Sequence, residues 1–384
     1  MPLDSSVDEA DAPALRRQAA MRDCERILSG VRPKTIRERL DDIAVGGDLD
    51  VLPRFYDDAG MATLEERVAE LLGTPAAVFF PTGTMAQQVA LRYGAELAGR
   101  PCVALHPLGH QEVHERQAYA HLTGLRGIAP TAAPRNPTAD EISALAEPVG
   151  TVVVELPLRD AGFVLPTWDE LVAVAAAARA VGARVHLDGA RIWESTPFLA
   201  HSLAEIAELA DSTYVSFYKT LGGISGAALA GTNELASYAR AWRHRYGGTL
   251  VQQWPAALAA LAGLDRELPR IPHYVRHART VATALGSLPG ARVFPDPPHT
   301  HQFRLWLPFA ATALDAATLS LAAEEKVWFA AGWRDTDLPG MAMAEVTVAA
   351  PALDWTADDV ATIGELFLRR VGPPTSDAAR RRPS

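Results

Sequence analysis

The stretches VHLDGARIW (residues 185–193) and STYVSFYKTLGG (residues 212–223) decide how the rest of the chain is read. Each opens as a run of apolar and β-branched residues and closes on a turn signal. That is the pattern of a buried parallel strand ending at a loop. The first run delivers Asp188, the small pair Gly189-Ala190 and then Arg191; the second delivers Lys219 and a glycine pair. In an α/β sheet the carboxyl ends of strands face the crevice where ligands bind, so an acid, an arginine and a lysine are expected there together.

A lysine near the end of a buried strand is costly as an idle charge. It is useful if its amine condenses with an aldehyde cofactor. Pyridoxal phosphate suits the set, because Asp188 can keep its ring nitrogen protonated and so maintain the ring as an electron sink. Arg191 can donate in a planar fork to the ring phenolate or to a substrate carboxylate. The plainer alternative is a structural Asp–Arg pair with an exposed loop lysine.

Upstream, FFPTGTMAQQVAL (residues 79–91) places a tight turn, Pro81-Thr82-Gly83-Thr84, between a strand at 76–80 and a helix reaching about residue 98. Glycine lets the backbone approach a ligand. The amides that follow sit at a helix N-terminus, which suits a phosphate, and Thr82 and Thr84 add hydroxyls. A simple N-cap threonine is the alternative. The segment HPLGHQEVHERQAY (residues 106–119) carries histidines at 106, 110 and 114. Their spacing is legitimate for a metal on a helix, but no matching carboxylate or cysteine frame follows. A ring stacked on the pyridine face is the better use for one of them.

The rest of the chain bounds the answer. It has 384 residues, 48% hydrophobic and 21% charged, which is ordinary for a globular protein. A net charge of -10 argues against nucleic-acid or anionic-membrane partners. Two cysteines, Cys24 and Cys102, give no disulfide framework and suit a reducing, cytoplasmic setting. The acidic N-terminus does not read as a signal peptide, and no apolar run is long enough to span a membrane. Strand and helix alternate from 76 to 230, the mark of a mostly parallel sheet, with GAALA (226–230) as an antiparallel addition. After residue 286 short strands at 292–294, 302–307, 327–330 and 345–348 interleave with helices at 311–325 and 356–370. The fold class expected is therefore α/β: a large domain with a mostly parallel central sheet and a small C-terminal α+β domain. The expected divisions are an arm and helix at 1–45, the large domain at 46–285, the small one at 286–372 and a loose tail at 373–384. Residues 1–20 read as disordered and 24–40 as a helix.

These motifs resemble the threonine aldolase and β-eliminating lyase group of fold type I pyridoxal-phosphate enzymes, over roughly residues 61–230. FFPTGTMAQQVAL resembles the family's phosphate turn. LGHQEVHE (108–115) resembles its segment of His, four residues, then Glu, which implies His110 over the ring and Glu115 nearby, toward the substrate. VHLDGARIW implies that Asp188 meets the ring nitrogen, and SFYKTLGG (216–223) that Lys219 carries the cofactor. RHRYGGTLVQQW (243–254) resembles a glycine-rich segment near the phosphate of the same or a neighbouring subunit. The resemblance implies an aldolase that splits a β-hydroxy-α-amino acid into glycine and an aldehyde, with His110 or a water it positions as base. It also implies a homodimer or homotetramer acting on a small amino acid.

Departures from the family bear on substrate and reaction. The Ser-Asp-Thr segment is missing from residues 28–60. After Glu155 the family tends to carry Asn, Thr, His and Asn; here Leu156, Pro157, Leu158 and Arg159 follow, which suggests an apolar wall. Val251 stands where a basic residue is common. Near the C-terminus the family's carboxylate-gripping arginine is replaced by Glu345 in AEVTVAA (344–350), so Arg334 or Arg304 is expected to take over. Rival readings are β-elimination, racemisation or transaldol transfer on the same cofactor, and a silent relative that binds without turnover.

Overall fold

The computed structural model describes residues 6–53 and 59–372. Its strands are β1 (Arg26–Ile27), β2 (Ala76–Phe80), β3 (Cys102–Ala104), β4 (Arg126–Ile128), β5 (Thr151–Glu155), β6 (Arg184–Gly189), β7 (Ser212–Ser216), β8 (Ala227–Gly231), β9 (Arg292–Phe294), β10 (Gln302–Leu307), β11 (Val327–Trp328), β12 (Arg334–Asp335) and β13 (Ala342–Thr347). The described residues divide into two compact units, 37–272 and the two ends of the chain, up to Ile36 and from His273 onward. The division falls in the first turn of helix Ile271–Gly286, whereas the sequence suggested one near 285.

The unit of residues 37–272 is built on a 7-stranded sheet in the order β2-β8-β7-β6-β5-β3-β4. Strands β3 to β7 pair in parallel. Strand β8 is antiparallel to both of its neighbours, so β2 runs the same way as the parallel set. Strands buried on both faces need continuous apolar runs rather than alternation, and every residue of β5 and β7 is buried. The helices between them supply the covering layers: Gly83–Ala98 presents Ala86, Val89 and Ala90 to Val78, Tyr214 and Leu229. Helix Trp168–Ala180 starts at a capping box in which Thr167 and Glu170 each satisfy the other's backbone.

In the other unit, β12-β13-β10-β9 form a 4-stranded antiparallel sheet, and β1 pairs in parallel with β11 as a separate 2-stranded sheet. Its core gathers Leu28, Phe303, Leu305, Phe329, Trp333 and Phe367. Two expectations fail here. The predicted helix over 24–40 is instead β1 and an extended run, with the helix Ile36–Ala44 beginning only after Pro33. Gly30 sits at φ +93°, which helix does not permit, and proline removes a donor. The stretch read as disordered holds a helix, Ser6–Arg22; its polar composition is offset by Met21, which packs with Cys24, Ile27 and Trp328. Of the strand expected over 327–330, Val327 and Trp328 form β11 and meet Arg26 and Ile27 in register. The expected tail at 373–384 lies outside the described residues. No helix among those described is long and apolar enough to cross a membrane.

Candidate active site

Topology brings the chemistry to one end of the parallel strands. The carboxyl end of β5 delivers Glu155, that of β6 delivers Asp188, and these two are register partners. Strand β7 ends at Ser216, three residues before Lys219. Strand β2 ends at Phe80 and runs into the Pro81–Thr84 turn, and the antiparallel β8 begins at the same end, just after Ile224, Ser225 and Gly226.

Asp188 is fully buried, and its two carboxylate oxygens are held separately. Oδ1 accepts from the Ala190 backbone N–H at 3.2 Å and Oδ2 from the Gln111 side-chain amide at 2.8 Å. A carboxylate fixed in this way keeps an orientation without needing a cation beside it. Lys219 is half-buried, and its amine is pushed down to about 8, first by burial and then by the charge of Arg191, against the pull of Asp188 and Glu155. Glu155 is buried and pushed up to about 7 by burial and then by Asp188, although the backbone N–H groups of His110 (2.9 Å) and Arg159 (3.2 Å) each donate to one of its oxygens.

His110 opens the short helix His110–Val113, and its Nδ1 lies 3.2 Å from Glu115 Oε1. Burial alone would lower its pKa; the Glu115 hydrogen bond and the Asp188 charge outweigh it, so the imidazole titrates above its ordinary value. Glu115, expected to meet the substrate, is instead buried behind His110 and also accepts from Gln88 Nε2 at 3.3 Å. His106 bonds the Ala133 carbonyl at 2.8 Å, and His114 Nε2 lies 2.6 Å from Asp160 Oδ2. Among the described residues no group of three or more His, Cys, Asp or Glu could hold a metal.

The turn at Pro81–Thr84 joins strand β2 to a helix as the sequence suggested. Thr82 is the N-cap of Gly83–Ala98, its side chain accepting from Met85 N. Thr82, Gly83 and Thr84 line a cleft of about 290 Å³ with His110, Tyr214 and Tyr218. Glycine is required at 83, since a Cβ there would fall 2.1 Å from Tyr214 Oη. The glycine-rich segment packs beside the same helix turn: a Cβ at Gly248 would meet Met85 Sδ at 2.4 Å.

Arg191 is half-buried, with its guanidinium carbon 5.7 Å from the Phe163 ring centroid, and that guanidinium makes no hydrogen bond or ion pair among the described residues. An arginine left in this state beside Lys219 is equipped for an anionic ligand. Arg334 lies in the other unit, where its Nη2 is 3.3 Å from Glu345 Oε1, and Arg304 is the register partner of that same glutamate. The apolar wall expected after Glu155 is not a wall: Leu156 and Leu158 are fully buried, Leu158 in a cluster with Ala161, Val164 and Leu108.

Sequence reasoning missed three participants. Gln111 and the two backbone N–H groups on Glu155 become visible only once strand register brings them together. A further signal lay in the composition. The chain has only three lysines, Lys34, Lys219 and Lys326, so residues 37–272 contain one. The site fits a pyridoxal-phosphate cofactor on these observations: one depressed amine, one buried oriented acid, an unpaired guanidinium, and a helix N-terminus opening on the cleft that His110 lines.

The family described as beta-eliminating lyase matches residues 36–305. A solved structure from Listeria monocytogenes EGD-E, described as a candidate L-allo-threonine aldolase, is 32% identical with a TM-score of 0.85, covering 94% of this chain and 99% of that one. Aldolase vrtJ of Penicillium aethiopicum is 30% identical over 65% of this chain and 62% of its own length. Low-specificity L-threonine aldolase 1 of Arabidopsis thaliana is 26% identical over 60% of this chain and 67% of its own length. The chain thus spans about two-thirds or less of these curated relatives.

Proposed function

The chain belongs to the beta-eliminating lyase family, and from that premise we propose that it is a pyridoxal-phosphate lyase cleaving a β-hydroxy-α-amino acid, threonine- or phenylserine-like, to glycine and an aldehyde. The observation that carries the proposal is Lys219, the one lysine of residues 37–272, held half-buried with its amine at about 8 beside buried Asp188. When bound, pyridoxal phosphate supplies the electron sink that lets a bond at the amino acid's α-carbon break.

The chain's own residues do the rest. Lys219, partly unprotonated near neutral pH, would be the nucleophile that holds the cofactor aldehyde. Asp188 would keep the ring nitrogen protonated, and Gln111 and Ala190 hold Asp188 in place for it. The amides after Gly83, with Thr82 and Thr84, would take the phosphate. His110 accepts the proton of the substrate's β-hydroxyl, and Glu115 sets which ring nitrogen is free to do so. The same reading includes a homo-oligomer, which light scattering on purified protein would test.

Incubation with threonine, allo-threonine and phenylserine should release the matching aldehyde and glycine, and Lys219→Ala should release none. Pyruvate from a cysteine conjugate, or loss of optical activity from alanine without aldehyde, would replace cleavage by elimination or racemisation.

A further inference from the structure

We propose that Arg159, at the tip of the loop after β5, is a substrate-binding residue that grips the α-carboxylate of the amino acid together with Arg191. The proposal rests on the amino-acid lyase reading above and adds a residue to it.

The loop is built to hold Arg159 still. Leu158 and Val164 close it as an antiparallel bridge, with Leu158 N–H donating to the Val164 carbonyl at 2.9 Å. Inside it, the N–H groups of Gly162 and Phe163 both donate to the Arg159 carbonyl, at 2.8 and 3.2 Å. Phe163 lies at φ +62°, a conformation a bulky residue seldom adopts, and its ring is fully buried. Such positions persist where the surroundings over-determine them, and they cluster at ligand sites.

Three connections tie this arginine to the site. Its backbone N–H donates to Glu155, the same carboxylate that takes the His110 N–H. Its guanidinium carbon is 6.0 Å from the Phe163 ring centroid, and that of Arg191 is 5.7 Å from the same ring. One buried aromatic ring therefore lies within about 6 Å of two guanidinium groups, one from β5's loop and one from the turn after β6. The charges of both lower the Lys219 amine. The Arg159 side chain, only 21% exposed, donates to Asp160 Oδ1 at 3.3 Å; the same carboxylate takes His114 Nε2 on its other oxygen, and the His114 ring is 5.1 Å from that of His110.

Two planar forks near an imine-forming lysine match a carboxylate better than any other common ligand group. In the other unit Arg334 Nη2 lies 3.3 Å from Glu345 Oε1, and Arg304 is that glutamate's register partner. The Asn-Thr-His-Asn run expected of the family after the strand-end glutamate is replaced here by a loop whose cation is Arg159.

Glycine and glycinamide, which differ in the carboxylate, test this on the holoenzyme, followed by the cofactor's absorbance rather than by turnover. Arg159→Met should weaken glycine by about 10- to 100-fold and leave glycinamide within about twofold, the scale of a lost charged hydrogen bond. Arg159→Lys, which keeps the charge without the fork and guards against a variant lost to misfolding, should lose a smaller part for glycine alone. Unchanged glycine affinity in Arg159→Met, or equal loss of both ligands, would overturn the assignment. Should the wild type respond to glycine yet release no aldehyde from any β-hydroxy amino acid, cleavage fails while the clamp stands. Should it not respond to glycine at all, both fall.

Discussion

Both ends of the central sheet open into cavities, and the larger one is at the end without the chemistry. At the amino ends of β5, β6 and β7, a space of about 830 Å³ is lined by Thr151, Arg184, Asp211, Ser212 and Gly94. At the carboxyl ends the cleft measures about 290 Å³. The charged groups differ in kind. Arg184 and Asp211 pair at 2.8 Å with side chains 50% and 29% exposed, where water screens them. At the other end Glu155, Lys219 and His110 are all displaced from their ordinary ionisation by burial and by one another. Strained ionisation in company, rather than volume, distinguishes a reactive crevice from a structural hollow.

The sharpest way to break this comparison is to remove one aspartate from each end. Asp188→Ala should cut kcat by about 10²- to 10⁴-fold, the range for a lost proton-managing group. Asp211→Ala should leave kcat unchanged and cost about 1 kcal/mol in a thermal melt, since it loses the exposed ion pair and the bond from Val185 N–H. Equal losses of kcat would erase the distinction between the ends.

Helix Gly83–Ala98 offers a second test, because it carries a tight glycine toward each end. A Cβ at Gly83 would fall 2.1 Å from Tyr214 Oη, and one at Gly94 would fall 2.1 Å from Thr151 Oγ1. Alanine at either position should cost about 1–3 kcal/mol of stability by overpacking. Only Gly83→Ala should also weaken cofactor binding, measured by dialysis and reconstitution; a similar weakening in Gly94→Ala would contradict the phosphate role of the turn.

Two pH experiments sharpen the account of the crevice. Glu155 has its folded pKa raised, from an ordinary 4.5 to about 7. The unfolded chain therefore releases this proton first, and stability falls as pH rises between those values, levelling off above. Glu155→Gln should remove that slope while losing about 1–3 kcal/mol throughout, because its NH₂ group confronts a backbone N–H. Melts of the cofactor-free protein across that window would show a persisting slope if Glu155 is not its source. The smallest effect concerns His110, whose folded pKa is raised, so the stability its charge contributes is present below 6.5 and lost as pH rises through the folded value. Glu115→Gln should bring the His110 titration down, read by NMR on the imidazole, with little change in melting. An unmoved titration would mean that Glu115 is not what sustains it.

Much of the crevice was legible in the sequence because strand ends announce themselves. The runs ending at Glu155, Asp188 and Ser216 are apolar, β-branched and bounded by turns, and all three became strands of the parallel sheet. The three-residue strand Arg126–Ile128 went unseen because its sequence, RGI, has no run to read; it is made by pairing with β3. Roles that depend on contact rather than pattern were also hidden. Glu115 looked like a substrate ligand at its spacing from His110, yet side-chain burial turned it into that histidine's support. Leu156 and Leu158 looked like a wall because nothing local says which way a loop residue faces. Arg159 was passed over for the same reason.

The central claim is that Lys219 carries the cofactor against Asp188. Borohydride reduction of the purified holoenzyme followed by peptide mapping tests it directly, and with three lysines in the chain the answer is unambiguous. The account predicts a single pyridoxyl adduct at Lys219, lost in Lys219→Ala. An adduct at Lys34 or Lys326, or a protein that takes up no cofactor at all, would contradict it.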